Sequence, residues 1–166
     1  AAYTADYRNA EHRQTIHIAY SLDQGRTFTL YPDNPVLDVG DSKFGDPKVF
    51  RHPASDSWIM VNILGRPQGR VVFYRSDNLI DWEQTGEFCA AASAPDIWEC
   101  PDLFPLSVNG SSEEKWILKV NTTNFDWTTG NRPSYYFVGE FDGRTFMNET
   151  PDGLRPQCVG DSYYAE

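Results

Sequence analysis

An internal repeat constrains this chain more than any other feature. Gly45-Asp46-Pro47-Lys48-Val49-Phe50 resembles Glu99-Cys100-Pro101-Asp102-Leu103-Phe104, and Pro47 stands 54 residues before Pro101. Tyr20-Ser21-Leu22-Asp23 recurs as Arg75-Ser76-Asp77 at a similar distance. Asp23-Gln24-Gly25-Arg26-Thr27-Phe28 recurs 118 residues later, two periods of 59, within Phe141-Asp142-Gly143-Arg144-Thr145-Phe146, and Trp82 takes the equivalent place in the middle unit. Helical periodicity is nearly absent. Between the markers lie segments rich in β-branched and aromatic residues, each bounded by Gly, Pro, Asp or Asn: residues 15–21, 48–52, 57–64, 70–76, 115–121 and 134–141. The polar stretch 9–14 reads as a hairpin loop. A period of 54–59 residues with about four strands in each unit is the signature of β-propeller blades. Each unit reads as an inner strand after a proline, two long strands, and a short outer strand whose aromatic follows a tight turn.

The expected fold is therefore all-β, a partial propeller of about three blades' worth of four-stranded antiparallel sheets. Residues 1–42 form the end of one blade, 43–94 a second, 95–150 a third, and 151–166 the start of a further one. Two whole blades and two fragments leave a ring open and its terminal faces exposed. The chain is thus expected to be part of a longer protein, or to assemble as a homo-oligomer. Charge narrows the partners. With 24 acidic against 14 basic side chains and a net charge of −10, nucleic acid and anionic membrane surfaces are repelled rather than bound. No apolar run approaches the roughly 20 residues needed to cross a bilayer. The aromatic content of 14% supplies the apolar bulk that a disordered chain lacks.

The chain opens Ala-Ala-Tyr-Thr, without the basic and apolar regions of a signal peptide, as a mature form or an excised piece would. Three N-x-[ST] sequons, at Asn109, Asn121 and Asn148, all read as near turns or loops and favour a secreted glycoprotein. The cysteines are Cys89, Cys100 and Cys158, an odd count. Cys89 and Cys158 could pair, and all three could equally be partly buried thiols. No Cys/His spacing suggests a metal. His12, His17 and His52 are isolated; His52 follows a strand and is expected at the surface or in a turn.

In a propeller the inner strands ring a central funnel. Asp46 and Glu99 are read as equivalent, each just before the first strand of its blade, approaching one another across that funnel. Two carboxylates at a concave site suit glycoside hydrolysis. One, protonated, donates to the leaving oxygen; the other stays ionised. Trp98 and Cys100 flank Glu99 and could give it a less polar surround. Trp98, Trp127 and Tyr135 could stack on sugar faces or serve as core and inter-blade packing. Both acids could also simply cap strands or satisfy turn amides.

At these residues the sequence resembles glycoside hydrolase family 32, the invertases, inulinases, levanases and fructosyltransferases. Trp98-Glu99-Cys100-Pro101-Asp102 resembles the family's Glu-Cys motif, and Phe44-Gly45-Asp46-Pro47-Lys48-Val49 its Arg-Asp-Pro motif. Ile18 to Asp23, Asn34-Pro35-Val36-Leu37 and Tyr136 to Gly143 add to the likeness. The resemblance implies a five-bladed propeller followed by a β-sandwich, of which this chain covers the second half of blade two, blades three and four, and the threshold of blade five. It implies Glu99 as general acid/base and Asp46 as stabiliser of the oxocarbenium-like transition state and holder of fructose hydroxyls, with Trp98 and Cys100 beside the substrate. It implies a fructose-containing saccharide (sucrose, inulin or levan) as partner, a retaining mechanism, and no cofactor. Three departures stand out. The motif's Arg is Gly45 here, so a fork of donors to the sugar is missing or replaced. The family's nucleophile, in an Asn-Asp-Pro-Asn segment, has no counterpart; Asp33-Asn34-Pro35 falls at the family's ordinary Asn-Pro-Val turn. Asp161-Ser162-Tyr163-Tyr164-Ala165 only approximates the family's Asp-Tyr-Tyr-Ala pattern. The nucleophile is therefore expected outside these residues. The alternative is a catalytically incomplete carbohydrate-binding or self-assembling propeller fragment.

Overall fold

The computed structural model describes residues 1–8, 12–65, 69–90, 98–122, 134–149 and 155–156. Among them every regular element is a strand. The first sheet is built from β1 (Ala2–Tyr7), β2 (Arg13–Tyr20) and β3 (Thr29–Leu30), with β4 (Leu37–Asp38) also pairing β2. The second is an antiparallel meander of β5 (Phe44–Arg51), β6 (Trp58–Leu64), β7 (Arg70–Ser76) and β8 (Glu83–Phe88). The third repeats it with β9 (Trp98–Ser107), β10 (Glu114–Thr122), β11 (Ser134–Phe141) and β12 (Phe146–Asn148). These are propeller blades, as the repeat requires. The short β13 (Arg155–Pro156) pairs with β11, so this part of the expected further blade joins the third sheet instead.

Burial explains why the middle strands read as near-continuous apolar runs. A blade between two others is covered on both faces, so both side-chain sets must be apolar. On β6, Ile59, Val61 and Ile63 meet Val71, Phe73, Trp98, Leu118 and Phe137 in the core between the second and third sheets. Met60 points the other way and packs with Phe44, Val72, Tyr74 and Ile16 against the first sheet. Aromatic rings fill the wedge between blades. Phe88 meets Phe137 edge-on at 4.8 Å and Phe146 at 5.4 Å. His52 belongs here too: it stands at the turn after β5, one of its two expected places, but buried rather than at the surface. It is 4% exposed, stacks on Trp116 at 5.5 Å, and its Nδ1 lies 3.0 Å from Ser55 Oγ. The turn after β5 folds back on the core and takes the ring with it.

The repeated turns share one device. Asp23 Oδ1 accepts the Arg26 and Thr27 N–H groups at 3.0 and 2.9 Å; Asp142 Oδ1 accepts those of Arg144 and Thr145, both at 2.8 Å. In the middle blade Asn78 Oδ1 does the same for Ile80 and Asp81. These side chains mimic a backbone turn and fix the entry to the outer strand.

Two positions in this framework yield tests. A Cβ on Gly139 would lie 2.0 Å from the Met147 carbonyl oxygen. Gly139→Ala should therefore break the β11–β12 pairing and lower stability by about 1–3 kcal/mol, read as the urea midpoint of the protein. The Thr27 N–H, together with the Thr27 and Ser21 hydroxyls, pulls the Asp23 carboxyl down to about 2. Its stabilisation is complete above the ordinary value of about 3.9 and is lost as pH falls towards the lowered one. Asp23→Asn keeps an acceptor that does not titrate, so its melting temperature should fall less steeply between pH 4 and 2 than that of the parent.

Candidate active site

The two halves of the repeat that carry the acids are β-bulges of one design. On β5, Gly45 pairs with Ile63 and Lys48 with Val61, so three steps on one strand oppose two on its partner. On β9, Glu99 pairs with Asn121 and Asp102 with Lys119, the same mismatch. Such an insertion frees residues from the ladder and re-aims their side chains. It also admits a proline, which has no N–H to donate. In each bulge the residue before that proline has a left-handed backbone, with φ of 54° at Asp46 and 47° at Cys100. A position before proline is ordinarily extended, and strain of this kind costs about 1–3 kcal/mol at each site.

The bulges correct the sequence alignment in two ways. The acids lie within β5 and β9 rather than ahead of them. The structural equivalent of Asp46 is Cys100, and that of Glu99 is Gly45, so the acids are offset by one residue. Pro47 and Pro101 already carried this register; matching the carboxylates by their chemistry hid it.

The inner strands β5 and β9 lie side by side, joined by side-chain rungs between equivalent positions. The Cys100 N–H donates to Asp46 Oδ2 at 2.9 Å. Two residues further along, Lys48 Nζ meets Asp102 Oδ1 at 2.8 Å, and Asp102 Oδ1 also accepts the Leu103 N–H. Behind them Lys119 from β10 is 7% exposed; burial pushes its amine below the ordinary lysine value, and Asp102 pulls it back up. A cavity of about 340 Å³ opens here, between Asp46-Pro47-Lys48 on one side and Cys100-Pro101-Asp102 with Lys119 on the other. That volume falls in the range of small-molecule sites. Asp46 is exposed, while Glu99 and Cys100 are half-buried. Among the described residues nothing gathers three or more His, Cys, Asp or Glu side chains suited to a metal ion.

Other candidates are placed differently. Trp98 is 1% exposed, with its ring 6.2 Å from Phe88 and 5.9 Å from Phe137. At that exposure it offers no face to a sugar. Tyr135 is half-buried against the same core, and Trp127 lies outside the described residues. Asn34 brackets the Ile18 backbone, accepting its N–H and donating to its carbonyl at 2.8 Å each, which makes 33–35 a turn. Cys89 is exposed, Cys100 is half-buried, and Cys158 lies outside the described residues. Asn121 is 1% exposed within β10 and accepts the Ser134 hydroxyl, so its sequon is closed to a glycan in the folded chain. Asn109 is exposed in a turn. Sequence reasoning missed Thr4, whose Oγ1 accepts the Asp46 N–H at 2.9 Å. Nothing in the repeat points to it, since it lies 42 residues away in another sheet.

Comparison with known proteins gives consistent matches. A model of the glycosyl hydrolases family 32 N-terminal domain matches residues 1–166. The levanase of Bacillus subtilis (strain 168) is 42% identical over 154 residues, covering 91% of this chain and 22% of the levanase. The extracellular exo-inulinase of Meyerozyma guilliermondii is 38% identical over 159 residues, covering 95% of this chain and 30% of its own. The fructofuranosidase of Schwanniomyces occidentalis, solved in complex with fructose, superposes with a TM-score of 0.85 at 34% identity, over 96% of this chain and 30% of that one. The chain thus spans less than a third of the length of each of these relatives.

The rung between the bulges can be tested directly. Asp46→Asn keeps an oxygen that accepts the Cys100 N–H and should leave stability nearly unchanged. Asp46→Ala leaves that N–H without its partner and should cost about 1 kcal/mol, measured by urea denaturation of both variants.

Proposed function

Because this chain belongs to glycosyl hydrolase family 32, we propose that it supplies the acid/base half of a retaining β-fructofuranosidase site acting on sucrose or a fructan. The names of its relatives, a levanase, an exo-inulinase and a fructofuranosidase holding fructose, support the substrate class. Relatives named as extracellular exo-inulinases support secretion.

The observation that carries the reading is the 2.9 Å bond from the Cys100 N–H to Asp46 Oδ2. It ties the carboxylate of one bulge to the residue that follows Glu99 in the next. Glu99 protonates the leaving glycosidic oxygen as the fructosyl–oxygen bond breaks, and then takes a proton from the attacking water. Asp46 takes no part in these proton transfers. Its Oδ2 is held by the protein, and among the described residues Oδ1 has no partner, leaving it for a fructose hydroxyl. Its negative charge favours the positive charge that develops on the ring, the kind of fixed electrostatic stabilisation that acts most in the transition state. The nucleophilic carboxylate comes from outside these 166 residues. Gly45 brings no guanidinium to the sugar, so the grip on fructose depends more heavily on Asp46.

In the full-length protein, Glu99→Gln should lower kcat on sucrose by about 100-fold or more, the scale of a lost general acid/base. The isolated 166-residue chain should show no turnover of sucrose or inulin. Wild-type kcat in the Glu99→Gln protein would overturn the assignment of Glu99, and turnover by the isolated chain that Glu99→Gln abolishes would overturn the placing of the nucleophile outside it.

A further inference from the structure

We infer that Thr4 is the positioning residue of this site, holding the Asp46 bulge in its productive shape from the neighbouring blade. The inference rests on the fructosidase reading and deepens it.

Thr4 lies on β1, in register with Ile16 of β2 and against β5. Its hydroxyl oxygen accepts the Asp46 N–H at 2.9 Å. That N–H sits where the bulge interrupts the β5–β6 ladder, so it needs an acceptor from elsewhere. The partner matters here because Asp46 has a φ of 54° and precedes Pro47, a conformation that persists only when its surroundings enforce it. Asp46 is thereby fixed at two atoms from two directions. Thr4 holds its backbone from the first sheet, and the Cys100 N–H holds its Oδ2 from the third.

Gly45 makes sense on the same terms. It lies outside the left-handed region, so its own backbone does not call for glycine. A Cβ there would stand 2.8 Å from Thr4 Oγ1 and 3.0 Å from Thr4 Cγ2. Any side chain at this position would push the threonine off the Asp46 N–H. The departure from the Arg-Asp-Pro pattern and the threonine contact are therefore one arrangement: Gly45 leaves the space that Thr4 uses to grip the next residue.

The test uses the full-length protein with sucrose as the probe. Thr4→Val preserves the shape of the side chain and removes the acceptor. Its kcat should fall about tenfold with little change in KM, because a displaced carboxylate is felt most where charge develops. Thr4→Ser keeps the hydroxyl and should stay within about twofold of the parent kcat. Should Thr4→Val fail to fold, Gly45→Ala decides: by displacing the threonine it should produce the same tenfold loss. Wild-type kcat in the decisive variant overturns the proposal, and so does an equal loss in Thr4→Val and Thr4→Ser, which would mark Thr4 as packing alone. Asp46→Asn run alongside separates the two readings. If it is inactive while Thr4→Val is not, only the role of Thr4 falls. If it retains full activity on sucrose, the role of Asp46 falls and takes this proposal with it, whereas a full-length parent that does not turn over sucrose sinks the fructosidase reading itself.

Discussion

The hydrogen bond from the Cys100 N–H to Asp46 Oδ2 is the contact on which the site depends. Propeller blades meet through side chains, because the backbone groups of each blade are spent within its own ladder. A polar link between inner strands therefore needs a place where the ladder lets go. The paired bulges provide it, and they do so at equivalent positions, so that an acceptor on one blade meets a freed donor on the next. The Lys48–Asp102 pair repeats the pattern two residues on. Two strained prolyl neighbours, each costing free energy alone, are joined into one arrangement.

The energetic division is plain. The wedge between blades is aromatic and aliphatic, with Phe73, Phe137, Leu118 and Val61 essentially without exposure. Each such side chain contributes about 1.5–3 kcal/mol on burial. That reserve offsets the bulge strain, and it explains why Trp98, next to the acid, is buried structure rather than a sugar platform. The site is a thin polar layer on a rigid apolar stack, the condition under which a carboxylate can be held in one orientation.

Much of this was legible in the sequence. The strands 57–64, 70–76 and 134–141 were found to within a residue at each end, because buried central strands are dense in Val, Ile and aromatic residues. β8, Glu-Gln-Thr-Gly-Glu-Phe, was expected only as a short outer strand beside Trp82, without bounds, because an outer strand is polar and short. The inner strands were started too late, since proline reads as a boundary, whereas here it sits inside a bulge. The turns at Asp23 and Asp142 were seen as repeats, and their side-chain capping is the reason they repeat. The sequon at Asn121 misled, since sequence shows the acceptor pattern and not the burial that closes it. Thr4 could not be found from sequence at all: its contact joins two sheets and follows no period.

The most direct measurement is the structure of the full-length protein with fructose bound. It should place a fructose hydroxyl within about 2.6–3.2 Å of Asp46 Oδ1, with Oδ2 still on the Cys100 N–H and the Glu99 carboxyl within the same reach of the oxygen on the anomeric carbon. Fructose seated away from both bulges, with Asp46 touching only protein, would contradict the account.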